Sequence, residues 1–364
     1  MEILKTSEKS EKEIVDAALN TLKKGGLIVY PTETCYGVGV VATNKSAVEK
    51  LLEYKSRREG KPLSIAVANK EMAGNFVEIN EVAQNLYENY LPGPVTVISN
   101  SYGSLPDGVE SEFGTIGIRI PDYPLILKII KKLGEPITAT SANMSYGPRP
   151  YSIESLLENL PKKQQSLIDL IIDAGKLPLN EPSTVVDTTL NNLNIMREGA
   201  KRFEKEVEGK KPVLDAVTKT PDETVRFGGI NMLKYINDLQ TRGVLFLLSG
   251  ELGTGKTQFT KGVAKQLKIN DLVKSPTFIL MSEYEYNLGE STGMLIHIDF
   301  WKLDNYSHLK IDKYLKKKNV VIVEWADKFM NSLLDDARKK GVRVINVVGS
   351  YVDQHIREFS TYEI

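Results

Sequence analysis

The sequence predicts a chain of the α/β class that is built from two domains. Short apolar runs of strand length alternate with segments whose apolar residues recur at helical spacing, and this alternation is typical of α/β folds. The length of 364 residues exceeds what one ordinary core needs and suits two. A heavily charged stretch, residues 201–211, ends at Pro212 and interrupts the alternation. We therefore expect two domains, at residues 1–211 and 212–364.

Composition and charge exclude several classes of protein. Lys plus Arg and Asp plus Glu are both 47, so global charge gives no attraction to nucleic acid or membranes, and an anion site must be a local cluster. Cys35 is the only cysteine, which excludes an intramolecular disulfide, and three histidines argue against a His-rich metal site. Residues 1–13 lack an apolar signal core, and no window has the apolar length of a membrane span. We expect a soluble, cytoplasmic protein without membrane contact.

The order of apolar segments sets out the elements of both domains. Ile14, Val15, Ala18, Leu19 and Leu22 fall on one helical face, which glycines at 25 and 26 would cap. Strand-like and helix-like pieces follow at residues 27–30, 63–68, 95–99, 116–120, 125–133, 137–139, 183–187 and 195–197. The second half is predicted to contain elements at residues 222–239, 244–248, 257–267, 294–298 and 320–323. Residues 350–364 fit a last strand and helix, or a loose tail.

A glycine-rich loop in the second half predicts a nucleotide site. Residues 250–257, Gly-Glu-Leu-Gly-Thr-Gly-Lys-Thr, match the pattern G-x-x-x-x-G-K-[ST] at every fixed position, between a predicted strand and a predicted helix. Glycines let backbone N–H groups surround a phosphate chain, and the helix N-terminus adds positive potential. The motif assigns ATP binding to Gly253, Thr254, Gly255, Lys256 and Thr257, and the Thr257 hydroxyl is also a candidate Mg²⁺ ligand.

Two acids follow apolar strands downstream of this loop. Asp299 and Glu324 each end such a strand, and ligands of open α/β sheets bind beyond the carboxyl ends of strands. The strand before Glu324 resembles a Walker B element, so we expect these acids to bind Mg²⁺ or to position water. The alternative for each acid alone is a surface carboxylate that caps a strand.

These segments resemble the motifs of the TsaE family of ATPases, in the family's order, over about residues 215–330. The resemblance implies that Thr224 contacts the nucleotide and that Thr257 and Glu324 bind Mg²⁺. It implies that Asp299 acts in hydrolysis and that residues 275–278 form a nucleotide-sensing switch. The residues that carry the resemblance lie at 222–228, 249–257, 275–278, 297–303 and 323–327. The stretch after Leu303 departs from the family because it is rich in lysine, which indicates a solvated helix face or a tRNA-binding patch.

The first half contains a basic cluster and several polar strand ends. Residues 55–61 contain four cations and one anion, a net charge of +3, which suits either a polyphosphate clamp or a solvated surface. Small hydroxyl and amide side chains follow predicted strands at residues 31–34, 140–143 and 183–184, as a polar ligand pocket requires. No histidine precedes His297, so mechanisms that need an imidazole base from within this domain are excluded.

These segments resemble the YrdC-like family, in the TsaC type of threonylcarbamoyl-AMP synthase, over about residues 8–205. The residues that carry the resemblance lie at 31–37, 55–63, 91–96, 117–121, 140–143, 183–187 and 196–199. The resemblance implies a twisted α/β sheet with a basic concave cavity, followed here by the P-loop domain. It also implies a reaction in which L-threonine and bicarbonate give a carbamate that attacks the α-phosphorus of ATP and releases pyrophosphate.

Site residues of the first domain follow from the same resemblance. Lys55, Arg57 and Lys61 would hold the triphosphate, with Lys55 and Arg57 acting in catalysis. Thr32, Arg119 and Ser183 would hold threonine, with Arg119 on its carboxylate; the alternative for Arg119 is a structural ion pair. The remaining residues of the nucleotide site would be Thr115, Ser141, Asn143 and Arg197.

The two resemblances together imply a fusion of two activities in tRNA threonylcarbamoyladenosine (t6A) biosynthesis. The expected partner is a TsaD–TsaB complex, which would receive the adenylate and modify tRNA, so that tRNA is met only indirectly. Two alternatives stay open. The first domain could bind RNA without chemistry, and the second could be a nucleotide switch instead of a hydrolase.

Overall fold

The computed structural model describes residues 1–56, 62–144, 147–203, 212–289, 291–353 and 355–364. These residues divide into two compact units, which we call the first unit (described residues up to 203) and the second unit (described residues from 212). The predicted boundary between residues 211 and 212 stays a prediction, because residues 204–211 lie outside the described part of the chain. Arg57 and Lys61, two of the predicted ATP-binding residues, lie outside it as well.

The first unit is a mixed sheet accompanied by helices. Its strands are β1 (Glu2–Lys5), β2 (Ile28–Tyr30), β3 (Gly37–Gly39), β4 (Ser64–Ala66), β5 (Val95–Asn100), β6 (Thr115–Arg119), β7 (Ile137–Ser141), β8 (Leu170–Asp173), β9 (Thr184–Asp187) and β10 (Asn194–Arg197). Its helices are α1 (Glu11–Lys23), α2 (Lys45–Lys55), α3 (Lys70–Ala73), α4 (Glu81–Tyr90), α5 (Pro124–Leu133), α6 (Ile153–Asn159) and α7 (Lys162–Ser166). Among the described residues the strands form one ten-stranded sheet in the order β1-β8-β2-β3-β7-β4-β6-β5-β9-β10. The predicted α/β class is confirmed.

Both faces of this sheet are buried at strand β2. Leu27 and Val29 belong to one core cluster, and Ile28 and Tyr30 belong to another. Because successive side chains of a strand point to opposite faces, this alternation means that each face is covered. The second cluster includes the buried faces of α1 and α5, and the apolar face predicted for α1 lies within it, with Leu19 only partly buried.

The second unit has a central parallel sheet with antiparallel edges. Its strands are β11 (Leu214–Thr218), β12 (Val244–Ser249), β13 (Met281–Leu288), β14 (Ser291–Asp299), β15 (Val320–Glu324), β16 (Arg343–Tyr351) and β17 (Arg357–Glu363). Its helices are α8 (Pro221–Tyr235), α9 (Lys256–Gln266) and α10 (Met330–Lys340). The strand order is β11-β17-β16-β12-β15-β14-β13, and β16, β12, β15 and β14 are parallel to their neighbours within that set. No helix in the described part of either unit has the length and apolarity needed to cross a bilayer.

The parallel pairing aligns the strand ends on which the predicted site depends. Leu248 of β12 pairs with Glu324 of β15, and Glu324 pairs with Asp299 of β14. The chain leaves β12 directly into the glycine-rich loop and re-enters a helix at Lys256. Both predicted acids and the predicted phosphate loop therefore meet at one edge of the sheet.

The end of the chain differs from the expectation of a strand and helix or a loose tail. Instead, β16 and β17 form an antiparallel hairpin, and β17 also pairs with β11. Phe359 and Thr361 are buried, while Glu358 is exposed, so the burial of this segment follows the period of two that a strand requires. The segment thus contains the last strand that was expected, but the expected helix is absent from its described residues. The lysine-rich stretch after Leu303 contains two short 3-10 turns, and not the solvated helix that was one of its two interpretations.

Helices α8 and α9 pack so closely that their contact requires glycine. A Cβ atom on Gly228 would lie 2.1 Å from the carbonyl oxygen of Phe259, and one on Gly262 would lie 1.8 Å from that of Val225. Both contacts involve backbone atoms, so a change of side-chain rotamer cannot relieve them. This packing holds α9, whose first residue is the P-loop lysine, against α8.

Gly262→Ala should therefore destabilise the second unit. We expect its free energy of unfolding to fall by about 2–3 kcal/mol, because overpacking against backbone must shift one helix. Urea denaturation followed by tryptophan fluorescence measures this unit, since Trp301 and Trp325 are the two tryptophans of the chain. Lys261→Ala in the same helix is the control and should change stability by less than about 0.5 kcal/mol. Equal stability of Gly262→Ala and the unaltered protein would contradict this packing.

Candidate active sites

A cavity of about 210 Å³ opens in the first unit among the ends of its strands. We call it the first-unit cavity. Of the described residues that line it, three are arginines and none is acidic. Its polar lining consists of Tyr30, Thr32, Thr34, Ser64, Thr96, Thr140, Ser141, Ser183, Arg119, Arg149 and Arg197. The basic concave cavity expected of this domain is therefore present.

The side chain of Arg119, at the end of β6, is held by Glu33. Their ion pair is largely buried, with both side chains 14% exposed. Nε of Arg119 and Oε2 of Glu33 are buried without a hydrogen-bond partner among the described residues. Buried polar atoms without a partner are rare and costly in folded proteins. Arg119 therefore forms the structural ion pair that was the alternative interpretation of this residue. The pair also keeps one donor and one acceptor atom without a described partner beside the cavity.

Arg197 and Ser183 form a second polar contact on the cavity wall. One terminal nitrogen of Arg197 donates to the carbonyl oxygen of Ser183 at 2.8 Å and to its hydroxyl at 3.1 Å. The same hydroxyl lies 2.9 Å from the hydroxyl of Thr96. Burial, with smaller contributions from the nearby charges of Arg119 and Arg149, lowers the pKa of Arg197 to about 10. The guanidinium remains charged at neutral pH, and the repulsion among these arginines favours an anionic ligand.

Thr32 sits in a tight turn directly after β2. Its hydroxyl donates to the carbonyl oxygen of Cys35 at 2.7 Å and accepts from the backbone N–H groups of Thr34 and Cys35. The turn is therefore fixed by local side-chain to backbone bonds. It presents three cavity-lining residues, Thr32, Thr34 and Cys35, from one short segment.

Three predicted nucleotide residues lie outside the cavity lining. The Lys55 amino group is buried and donates to the carbonyl oxygens of Ser141 at 2.8 Å and Asn143 at 2.5 Å. Asn143 donates to Gly147 O at 2.6 Å, and its own Oδ1 is buried without a partner among the described residues. The Thr115 hydroxyl lies 2.7 Å from that of Ser111. In this structure Lys55 supports the backbone of the segment after β7, while Ser141 itself lines the cavity.

Arg149 is a lining residue that the sequence reading missed. It lies between Pro148 and Pro150, in a segment where no strand or helix was predicted. An arginine flanked by two prolines is a local signal that could have marked it, because proline restricts the backbone on both sides. Together with Arg119 and Arg197, it brings three guanidinium groups to one cavity.

A larger cavity, of about 410 Å³, opens in the second unit at the aligned strand ends. We call it the second-unit cavity. The predicted site residues that line it are Thr224, Gly253, Gly255, Lys256, Thr257, Asp299 and Glu324. Thr254 is fully buried beneath the loop, and its hydroxyl donates to the carbonyl oxygen of Glu251 at 2.9 Å. All but one of the residues predicted for this nucleotide site therefore share one cavity wall.

The phosphate loop has the backbone that its glycines permit. Gly250, Gly253 and Gly255 have φ angles of 135°, 82° and 97°, in the region that residues with a Cβ atom rarely adopt. The Lys256 amino group donates to the carbonyl oxygens of Gly250 at 2.7 Å and Glu251 at 2.8 Å. Burial lowers the pKa of Lys256, and the nearby carboxylates oppose that shift. The lysine is thus held inside the loop beside the space that a phosphate chain would fill.

Glu324 is the centre of a buried hydrogen-bond chain. The Thr257 hydroxyl donates to Glu324 Oε1 at 2.9 Å, and Nε2 of the fully buried His297 lies 2.8 Å from the same oxygen. His297 lies in the segment 297–303, which resembles a TsaE motif, but the sequence predicted no role for it. Its Nδ1 is buried without a partner among the described residues. The histidine fixes the carboxylate, which in turn faces the Thr257 hydroxyl across the cavity edge.

Asp299 ties the predicted switch segment to the sheet. Its Oδ2 accepts from the hydroxyls of Thr277 at 2.5 Å and Ser275 at 3.3 Å. Its Oδ1 accepts from the backbone N–H of Trp301 at 2.8 Å. Phe278, next in the same segment, is 87% exposed. The sequence-predicted segment 275–278 therefore contacts the sequence-predicted acid directly.

Four further residues of the second-unit cavity were not predicted. Trp301 and Trp325 lie with ring centroids 4.3 Å apart, and the Trp325 ring lies 3.8 Å from the Lys256 amino group. His355 and Arg357 come from the C-terminal hairpin. The two tryptophans lie in the segments 297–303 and 323–327, which resemble TsaE motifs. His355 and Arg357 lie in a segment that resembles no motif, so the sequence did not mark them as site residues.

In the described part of the chain, acidic, histidine and cysteine side chains form no metal cluster by themselves. No group of three or more such side chains that could hold a metal ion occurs among the residues that the structure describes. A Mg²⁺ ion that arrives with a nucleotide keeps several waters and phosphate oxygens, so it needs only one or two protein ligands.

The fold and these sites define a mixed α/β domain with an arginine-lined cavity and a P-loop nucleotide-binding domain. The family model Sua5_yciO_yrdC, described as "Telomere recombination", matches residues 20–199. The model described as "Threonylcarbamoyl adenosine biosynthesis protein TsaE" matches residues 219–348. The chain belongs to the Sua5/YciO/YrdC family through its first unit, and its second unit matches the TsaE family model. Both resemblances found in the sequence are confirmed.

Relatives of the first unit carry two kinds of name. A protein of Pyrococcus abyssi called threonylcarbamoyl-AMP synthase is 30% identical over 236 residues, 64% of this chain and 68% of that protein. One of Vibrio campbellii with the same name is 30% identical over 187 residues, 50% of this chain and 98% of that protein. Escherichia coli YciO is 28% identical over 190 residues, 52% of this chain and 90% of that protein. A solved structure of a P. abyssi Sua5 variant has a TM-score of 0.51 at 23% identity, covering 94% of this chain and 98% of that one, which supports the fold.

Thiol reactivity tests the environment of the first-unit cavity. Burial raises the pKa of Cys35, and the charges of Arg119 and Arg149 only partly oppose this shift. Less thiolate is present at pH 8 than in a free thiol, so modification by a disulfide reagent should be at least about tenfold slower than in urea, and should accelerate as pH rises. Because Cys35 is the only cysteine, the reading is unambiguous. Arg149→Gln should slow it further, and native reactivity equal to that in urea would contradict the burial.

Proposed function

We propose that the first unit makes threonylcarbamoyl-AMP from L-threonine, bicarbonate and ATP, and that the second unit is a P-loop ATPase of the same t6A biosynthesis. The observation that carries the first part is the convergence of three arginines and a set of hydroxyls on one cavity, whose described lining contains no acidic residue. The names of the Pyrococcus and Vibrio relatives support the reaction. The aligned P-loop and acids support the second part.

The proposed first reaction needs positioning and charge stabilisation. The threonine amine and bicarbonate condense to a carbamate with loss of water. A carbamate oxygen then forms a bond to the α-phosphorus of ATP, and the bond to the bridging oxygen breaks as pyrophosphate leaves. The reacting phosphorus is surrounded by negative charge, so fixed cations stabilise the transition state. The lack of an imidazole base in the first unit is compatible with this chemistry.

Arg119, Thr32 and Ser183 are the proposed threonine ligands. Arg119 would pair with the threonine carboxylate while Glu33 keeps its guanidinium in place. Thr32 and Ser183 line the same cavity and are buried. Ser183 is oriented by Arg197 and Thr96, so its hydroxyl is preorganised for a polar ligand.

Two of the proposed ATP ligands of the first unit belong to the lining of the first-unit cavity. Arg197 and Ser141 line it. Lys55 holds the carbonyl oxygens of Ser141 and Asn143, so its amino group would exchange these bonds for phosphate oxygens when the triphosphate binds. The set proposed from the family resemblance also includes Thr115, Asn143, Arg57 and Lys61.

The second unit would bind ATP on the P-loop with Mg²⁺. The residues fit this ion, because Thr257 and Glu324 present hydroxyl and carboxylate oxygens 2.9 Å apart on the cavity wall, and Mg²⁺ prefers such ligands. When bound, the ion would neutralise charge on the phosphates. Lys256 would bind the β- and γ-phosphates, Thr224 would contact the nucleotide, and Asp299 would position the attacking water.

A TsaD–TsaB complex is the proposed partner. The adenylate is a reactive mixed anhydride that must be consumed by a carbamoyl transfer to adenosine in tRNA. Joining the synthase to the ATPase would raise the local concentration of both at that complex. Sedimentation of this chain with TsaD–TsaB tests the partnership, and separate migration at micromolar concentrations would contradict it.

Pyrophosphate release assigns the first reaction. With ATP and bicarbonate, release should depend on L-threonine, disappear in Arg57→Ala and persist in Lys256→Ala. Arg119→Lys keeps the charge beside Glu33 but loses the planar guanidinium, so its KM for threonine should rise roughly tenfold. Lys128→Gln, which removes an exposed surface ion pair with Glu11, is the matched control and should leave KM unchanged. Pyrophosphate release that does not depend on threonine would contradict the synthase proposal and favour an RNA-binding module.

Glu324→Gln separates nucleotide binding from hydrolysis in the second unit. Mg²⁺-dependent phosphate release should fall by about 100-fold or more, because the carboxylate that would hold the ion is lost. ATP should still bind, as measured by the fluorescence of Trp301 and Trp325, which line the cavity. Hydrolysis at the level of the unaltered chain would contradict the role of Glu324. Binding without hydrolysis in the unaltered chain would favour a nucleotide switch.

A further inference from the structure

The C-terminal hairpin reaches the phosphate loop through two side chains. The Tyr351 hydroxyl donates to the carbonyl oxygen of Leu252 at 2.6 Å. Nε of Arg357 donates to the carbonyl oxygen of Gly253 at 3.3 Å. Leu252 and Gly253 are consecutive residues of the loop, so the hairpin is bonded to the loop's backbone and not only packed beside it.

Tyr351 and Arg357 hold each other in this position. They are directly opposed in the register of β16 and β17. The guanidinium carbon of Arg357 lies 4.3 Å from the centre of the Tyr351 ring, within the range of a cation–π contact. A long side chain that is stacked and hydrogen-bonded has lost most of its rotamer freedom before any ligand arrives. The arginine is therefore preorganised at the cavity wall.

Arg357 also changes the charge of the second-unit cavity. Among the described lining residues, Asp299 and Glu324 are acidic, and Lys256 and Arg357 are the cations. Lys256 is the cation that the P-loop motif itself supplies. A triphosphate that replaces water here must be neutralised by a few fixed charges, and a guanidinium is matched to phosphate in shape and hydrogen bonding.

We propose that Arg357 is a further phosphate-binding residue, which the C-terminal hairpin supplies to the nucleotide of the second unit. Tyr351 is its positioning residue. The inference rests on the proposed function, in that the nucleotide bound there is ATP. Both residues lie beyond residue 348, where the match to the TsaE family model ends, so they are assigned by their contacts in this chain.

Nucleotide binding by the intact chain tests this role. The probes are the β,γ-imido analogue of ATP and AMP, with the tryptophan fluorescence of the second-unit cavity as the signal. Arg357→Gln should weaken binding of the triphosphate analogue by about 10- to 100-fold, the usual effect of losing a hydrogen bond to a charged group. Binding of AMP, which lacks the β- and γ-phosphates, should change by less than about threefold.

Three further variants separate phosphate binding from a merely structural role. Arg338→Gln, on the exposed face of α10, is the matched control and should bind both probes like the unaltered chain. Arg357→Lys should recover part of the triphosphate affinity, because it restores the charge without the planar fork. Tyr351→Phe keeps the ring and loses the bond to Leu252, so it should weaken the triphosphate analogue by a smaller factor. Thermal unfolding of each variant reports folding.

The outcomes are distinguishable from failure of the proposed function. If Arg357→Gln binds the triphosphate analogue as Arg338→Gln does, the inference is overturned whether or not the chain hydrolyses ATP. Equal weakening of the analogue and AMP would also overturn it, since the effect would then be structural. If the unaltered chain binds ATP without hydrolysing it and Arg357→Gln still weakens the analogue selectively, the inference stands and the ATPase proposal fails.

Discussion

The parallel pairing of β12 with β15, and of β15 with β14, is the constraint on which the second site depends. Because these strands are in register, Ser249, Asp299 and Glu324 reach the same edge of the sheet. The chain turns from β12 into α9 through a loop in which three glycines have positive φ angles. The close glycine contacts of α9 with α8 then hold the start of that helix in place. The meeting of the P-loop and the two acids at one edge is thus a consequence of sheet register.

The first unit also places its polar side chains at strand ends, but the charges there differ from those of the second unit. Three arginine side chains supply the positive charge of the described cavity lining. Three guanidinium groups repel one another, and burial lowers the pKa of Arg197. The Glu33–Arg119 pair and the Ser183–Arg197 bonds offset part of that cost. A cavity built in this way is most stable when an anion fills it.

The site residues that could be predicted from the sequence are those that belong to short local motifs. Each predicted motif spans only one strand and the turn after it. Such motifs predicted the P-loop, the acids at the ends of β14 and β15, and the hydroxyls after β2 and β7. What the sequence could not predict depends on pairing between distant segments. Arg149 becomes part of the cavity only because its irregular segment lies across the strand ends. Arg357 joins the P-loop because β17 pairs with β16 and β11, and the residues 350–364 carry no motif. Lys55 belongs to the basic cluster seen in the sequence, but its bonds to the carbonyl oxygens of Ser141 and Asn143 follow from the fold.

The central claim is that one chain contains two separate ATP sites on two separate units. Equilibrium dialysis of the intact chain with a radiolabelled, non-hydrolysable ATP analogue, in the presence of L-threonine and Mg²⁺, counts them directly. The account predicts two equivalents bound per chain, and one equivalent in Lys256→Ala. A single equivalent in the unaltered chain that disappears in Lys256→Ala would show that the first unit does not take ATP and would contradict the account.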